Sequence, residues 1–131
     1  MGKVVLDSSV LLGHLDAEDA LHHASSGALE QRAKAEFVIP ASVFAEVMVG
    51  ARKLGDRTAK RLEETIDDLV TEIYPIDREV AWATAGIRAR RKEIRLPDAL
   101  VLATGEVLDA EVLTADKRWR NEPGHVTVIE A

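Results

Sequence analysis

Four carboxylates in this chain stand where their neighbours do not account for them. Glu46 is the only charged residue between Phe37 and Ala51. The residues around it, Ala-Ser-Val-Phe-Ala-Glu-Val-Met-Val-Gly-Ala, are apolar on nearly every side of a helix. Such a helix is expected to be largely buried, and a lone buried carboxylate is costly unless it is paired or bound to a cation. Asp98 repeats the pattern as the sole charge between Leu96 and Gly105. Asp7 closes the apolar run Lys3–Leu6, and Asp116 follows another such run in Thr-Ala-Asp. Each acid also has an ordinary explanation. Glu46 is a good helix former that suits a solvated opening of the core, and Asp7 is a plausible helix N-cap. Asp98 suits the positive end of a helix dipole, and Asp116 suits a turn.

Taken together the four acquire a common chemistry. Carboxylates brought to one place repel, and their pKa values rise; a divalent cation removes that penalty. Cysteine is absent, and His14, His22, His23 and His125 show no metal-ligand spacing. An all-oxygen donor set suits Mg²⁺ or Mn²⁺. Such ions activate water and stabilise an in-line displacement at phosphorus. The expectation is therefore a metal site that hydrolyses a phosphodiester.

The elements that must position these residues alternate along the chain. Lys3–Leu6 reads as a buried parallel strand, followed by a helix through Val10, Leu11, Leu12 and Leu15 that Ser8 or Ser9 would cap. A weaker helix is expected over Asp19–Lys34 and a strand over Phe37–Ile39, closed by Pro40. Helices follow over Ser42–Lys53 and Asp56–Val70, then a strand over Glu72–Ile76. Asp77 caps a helix to about Lys92, and Pro97 opens another that runs through Leu108. Strands over Glu111–Thr114 and Val126–Ile129 complete the series. This alternation predicts a mostly parallel sheet of four to five strands with helices on both faces. Ligands of such sheets bind outside the carboxyl ends of the strands, where Asp7 and Asp116 fall.

The whole-chain properties bound the reading. With 131 residues the chain forms one domain, residues 1–131, large enough to bury a core. The net charge of −6 argues against coating nucleic acid through bulk charge. Any such partner would meet a local basic surface. The apolar run at the N-terminus is too short for a signal peptide or a membrane span. Without cysteine the chain suits a reducing cytoplasm, so a cytoplasmic location with no membrane partner is expected.

One basic surface is available. Ile87–Leu96 carries Arg88, Arg90, Arg91, Lys92 and Arg95 against the single acid Glu93, just before Asp98. Cations at a helix end suit its dipole. They also suit a phosphate-steering rim, with Arg88, Arg91, Lys92 and Arg95 as candidates and Lys117, Arg118 and Arg120 extending it. Trp82 reads as a core or interface residue. Trp119, beside Lys117 and Arg118, is open to either packing or base stacking. The four histidines read as structural or surface residues.

The segments Val-Val-Leu-Asp-Ser-Ser, Ala-Ser-Val-Phe-Ala-Glu-Val, Leu-Pro-Asp-Ala-Leu-Val-Leu-Ala and Val-Leu-Thr-Ala-Asp resemble, in this order and spacing, the acidic motifs of PIN-domain ribonucleases. The length resembles the VapC toxins of toxin–antitoxin pairs. The resemblance covers essentially the whole chain. It implies a PIN-like three-layer α/β/α fold and a Mg²⁺-dependent endoribonuclease, with Asp7, Glu46, Asp98 and Asp116 as catalytic metal-site residues. Glu46 would be a ligand or would orient the attacking water. Ser8 and Thr114 would match the hydroxyl residues that hydrogen-bond to a carboxylate or a bound water. The implied partners are an RNA substrate, a homodimeric second copy, and a cognate antitoxin lying across the Ser42–Lys53 and Asp56–Val70 helices. Some relatives carry a further acid where this chain has Trp119, which leaves one metal better supported than two.

Two other readings compete. A phospho-aspartate protein also places an Asp after its first strand. The phosphatase pattern wants a second Asp where Ser9 stands, and a receiver wants a phospho-accepting Asp after a middle strand. A catalytically weak nucleic-acid-binding PIN module is the other, and retention of all four acids argues against it.

Overall fold

The computed structural model describes residues 2–120, 122 and 124–131. Five strands, β1 (Lys3–Leu6), β2 (Glu36–Pro40), β3 (Glu72–Tyr74), β4 (Glu111–Thr114) and β5 (Val126–Val128), form a single sheet in the order β3-β2-β1-β4-β5. Every pairing is parallel, so the sheet is wholly rather than mostly parallel. Six helices, α1 (Ser8–Leu15), α2 (His22–Glu30), α3 (Ala41–Leu54), α4 (Asp56–Leu69), α5 (Arg78–Arg90) and α6 (Leu96–Leu108), complete an α/β/α arrangement. None of the described helices is long and apolar enough to cross a membrane.

β1 lies at the centre, with Val5 in register with Val38 of β2 on one side and with Val112 of β4 on the other. Val4, Val5 and Leu6 are all buried, as a central parallel strand covered on both faces requires. The chain lays β2 and β3 to one side of β1 and β4 and β5 to the other. The direction of winding reverses between β1 and β4, which opens a crevice at their carboxyl ends.

Local chemistry sets the element boundaries. Asp77 caps α5, its carboxylate accepting a bond from the Val80 amide at 2.9 Å. Pro97 lies in the first turn of α6, where a missing amide hydrogen costs nothing. β3 stops at Tyr74, short of the expected Ile76, because Pro75 cannot donate to the ladder. α2 covers less than Asp19–Lys34. At its start Asp19 accepts a bond from the Leu21 amide at 2.8 Å and holds a turn instead. α6 meets β4 at Gly105, where a Cβ would stand 2.3 Å from Val112 Cγ2.

One sequence expectation about burial is corrected, and the open readings of the two tryptophans are narrowed. α3 buries only the row Val43, Val47, Met48 and Ala51. Ala45, Glu46, Val49 and Gly50 are exposed. Its apolar surround therefore reflects an uncovered apolar surface beside the core row, and Glu46 is not a buried residue. The tryptophans also differ. Trp82 is 82% exposed on α5 and so is no core residue, whereas Trp119 is 2% exposed and packs into the core, where no base can stack on it.

Candidate metal centre

Asp7 follows β1 and occupies the N-cap position of α1 with extended backbone, yet its side chain caps nothing. Its amide donates to the Leu113 carbonyl at 3.0 Å, which seats it beside the end of β4. The carboxylate instead accepts two hydroxyls on Oδ2, from Thr114 at 2.8 Å and from Ser9 at 3.0 Å. These hydroxyls are themselves held, since Thr114 Oγ1 accepts the Asp116 amide at 3.0 Å and Ser9 Oγ accepts the Ala115 amide at 3.1 Å. A continuous network thus ties the ends of β1 and β4 around one carboxylate. Ser9 rather than Ser8 supplies the hydroxyl from α1. Ser8 acts on Asp7 through its backbone. The helix phase, not the residue type, makes that choice.

The other acids arrive from three elements. Glu46 comes from α3 and Asp98 from the first turn of α6, while Asp116 caps the 3-10 turn Lys117–Trp119 that follows β4. Their electrostatics shows that they are neighbours. Asp7 has its pKa raised, chiefly by burial, with the charge of Asp116 adding to the rise and the Thr114 and Ser9 hydroxyls opposing it. Asp98 is raised by burial and then by Asp7 and Asp116. Glu46 stands in solvent as a residue, but its carboxylate is partly desolvated. That desolvation, then the charges of Asp7 and Asp98, raise its pKa. Solvent screens the part of this effect that comes from neighbouring charges, because Glu46 is exposed. Asp116 alone is lowered, because Arg118 hydrogen-bonds to it.

The basic residues divide by position. Arg95 and Arg118 act on the acids directly: Arg95 offsets the rise at Glu46 and Asp98, and Arg118 Nη2 lies 3.8 Å from Asp98 Oδ2. Arg88 donates through Nε to the Ile94 carbonyl at 3.0 Å and Arg91 pairs with Glu93 and, at 2.7 Å, with Glu122, so both hold the segment between α5 and α6. Lys92 is exposed there. Lys117 lies 3.8 Å from Glu130.

The donor set suits a hard divalent ion in charge and atom type. The side chains do not yet enclose one. Among the described residues, no three acidic or histidine side chains converge as a ligand cage. The tie between Arg118 and Asp116 and the role of Ser9 were not legible in the sequence. A serine in the first turn after a strand-end acid is the only signal that could have pointed to the latter.

The sequence pattern described as the PIN domain matches residues 4–123. No curated protein matches the chain. Among solved structures, the chain is similar to a toxin–antitoxin complex from Klebsiella pneumoniae, with 26% identity over 95% of this chain and 96% of that one and a TM-score of 0.77. It shares its fold with DNA-bound VapBC from Salmonella typhimurium, at 18% identity, 98% coverage of both chains and a TM-score of 0.78. A third is VapC20 of Mycobacterium tuberculosis, described as a sarcin–ricin loop cleaving toxin. It has 17% identity over 82% of this chain and 85% of that one, with a TM-score of 0.66.

Proposed function

The chain belongs to the PIN-domain family, and from that premise we propose that it is the toxin of a toxin–antitoxin pair, a metal-dependent endoribonuclease. The observation that supports this reading is Asp7, held at the ends of β1 and β4 by the Thr114 and Ser9 hydroxyls, with Asp98 and Asp116 near enough for their charges to act on one another and Glu46 near enough to feel Asp7 and Asp98. Asp7, Asp98 and Asp116 would hold Mg²⁺ or Mn²⁺, with Glu46 as a further ligand or as the group that orients water. The bound ion would supply Lewis acidity toward the phosphate and a nucleophilic water at neutral pH.

The chain's own residues do the remaining work. Thr114 and Ser9 fix Asp7 in one orientation, so the donor set is preorganised. Among the described residues, Arg95 and Arg118 are the cations that act on the acids, and they are the sites where an RNA phosphate would be received. The similarity to the Klebsiella toxin–antitoxin complex and to Salmonella VapBC supports an antitoxin partner. The exposed apolar residues Val49 and Leu54 on α3 give such a partner something to cover, and Trp82 on α5 does so for a second copy.

The test is cleavage of single-stranded RNA with and without Mg²⁺ by the chain and by Asp98→Asn. The substitution abolishes Mg²⁺-dependent cleavage while the far-UV circular dichroism spectrum stays folded. Undiminished cleavage by the variant overturns the assignment.

A further inference from the structure

Arg118 lies two positions after Asp116, and its side chain folds back onto that residue. Nε donates to Asp116 Oδ1 at 3.0 Å and Oδ2 at 3.2 Å, and Nη2 donates to Oδ2 at 2.6 Å. The Arg118 amide adds a further bond to Oδ1 at 3.0 Å. Both oxygens of Asp116 are thereby engaged by one residue. The same Nη2 reaches to 3.8 Å from Asp98 Oδ2, so a single guanidinium spans two carboxylates that come from different elements. Packing does not hold it there: the side chain is 70% exposed, while the next residue, Trp119, is buried and anchors the turn. A guanidinium held only by charge and hydrogen bonds at the surface is exchangeable.

Resting on the metal-site reading above, we propose that Arg118 is a resident stand-in for the ion: it occupies the cation position between Asp98 and Asp116 in the ion-free chain and is displaced when a divalent metal takes those oxygens. The two cannot share the position. Arg118 uses the lone pairs of Asp116 that an ion needs, and two cations at that separation repel. The displaced guanidinium remains tethered two residues from Asp116, within reach of a phosphate oxygen, for which its forked donors are suited. Metal binding and exposure of the phosphate-receiving group are thus one event.

The test is calorimetric titration of Mn²⁺ into the full chain, the Arg118→Gln variant and an Arg95→Gln control. Arg95 also acts on Asp98 and Glu46 but makes no hydrogen bond to them, so its loss measures the general effect of removing one nearby charge. Arg118→Gln binds Mn²⁺ about tenfold tighter than the unaltered chain, and Arg95→Gln changes affinity no more than about threefold; circular dichroism confirms that both variants fold. Equal gains in the two variants, or an unchanged or weaker affinity in Arg118→Gln, overturn the stand-in role while leaving the metal site in place. Absence of Mn²⁺ binding by all three chains removes the metal site itself and the stand-in with it.

Discussion

Thr114 donates its hydroxyl to Asp7 Oδ2 at 2.8 Å across 107 positions of sequence, so the residue that ends β4 holds the carboxylate that follows β1. The same oxygen of Thr114 receives the Asp116 amide. One side chain therefore orients the acid after each of the two strands that flank the crevice.

Replacing it separates geometry from fold. In Thr114→Val the shape is nearly kept, but Asp7 loses the hydroxyl that opposes the effect of burial on its pKa. That pKa climbs further, so the acid limb of the pH–rate profile moves upward. Cleavage falls roughly 10–100-fold, the range found when the hydrogen-bond partner of a metal ligand is removed. Thr114→Ser restores most of both. An unshifted pH–rate profile in Thr114→Val would count against this role.

The acids weaken the fold that holds them. Asp98 binds its proton more tightly in the folded chain than in the unfolded one. Between the ordinary aspartate range and its raised value the folded state therefore carries more protons, and stability falls as pH rises through that window. Below the window both states are protonated and the difference vanishes. Asp98→Asn is thus more stable than the unaltered chain at pH 7 in chelator, and equal to it in strong acid. Thermal unfolding at the two pH values measures this, and a variant less stable at pH 7 refutes it.

The two tryptophans have opposite roles in stability. Trp119→Ala removes a buried core side chain and costs about 3–5 kcal/mol. Trp82→Ala changes stability by less than about 0.5 kcal/mol, as expected at an exposed helix position. Denaturant titration gives both numbers. In Trp119→Phe, which retains Trp82 alone, acrylamide quenches the fluorescence of the isolated monomer freely. A shielded signal there would contradict the exposure of Trp82.

Much of this was legible in one dimension. The buried run Val4–Leu6 and the alternation of elements specified a parallel sheet, because a central strand must be apolar on both faces. Asp7 and Asp116 were placed correctly at strand ends for the same reason. Glu46 was found by an argument that the structure revises: apolar neighbours on α3 were read as burial, but half of them face outward. A linear pattern cannot distinguish a surface covered by the chain's own core from one left bare. Trp119, beside Lys117 and Arg118, was left open between packing and base stacking, and the 3-10 turn after Asp116 decides for packing by directing it inward. The choice of Ser9 over Ser8 likewise depended on which way the first turn of α1 faces.

The order β3-β2-β1-β4-β5 has a consequence for synthesis. Asp7 leaves the ribosome early, but its hydroxyl partner and Asp116 emerge more than a hundred residues later, and they meet it only when β4 docks beside β1. A nascent chain that stops short of Thr114 carries the first three acids and no assembled centre. The network around Asp7 is therefore closed only after translation has passed Asp116 and β4 has docked.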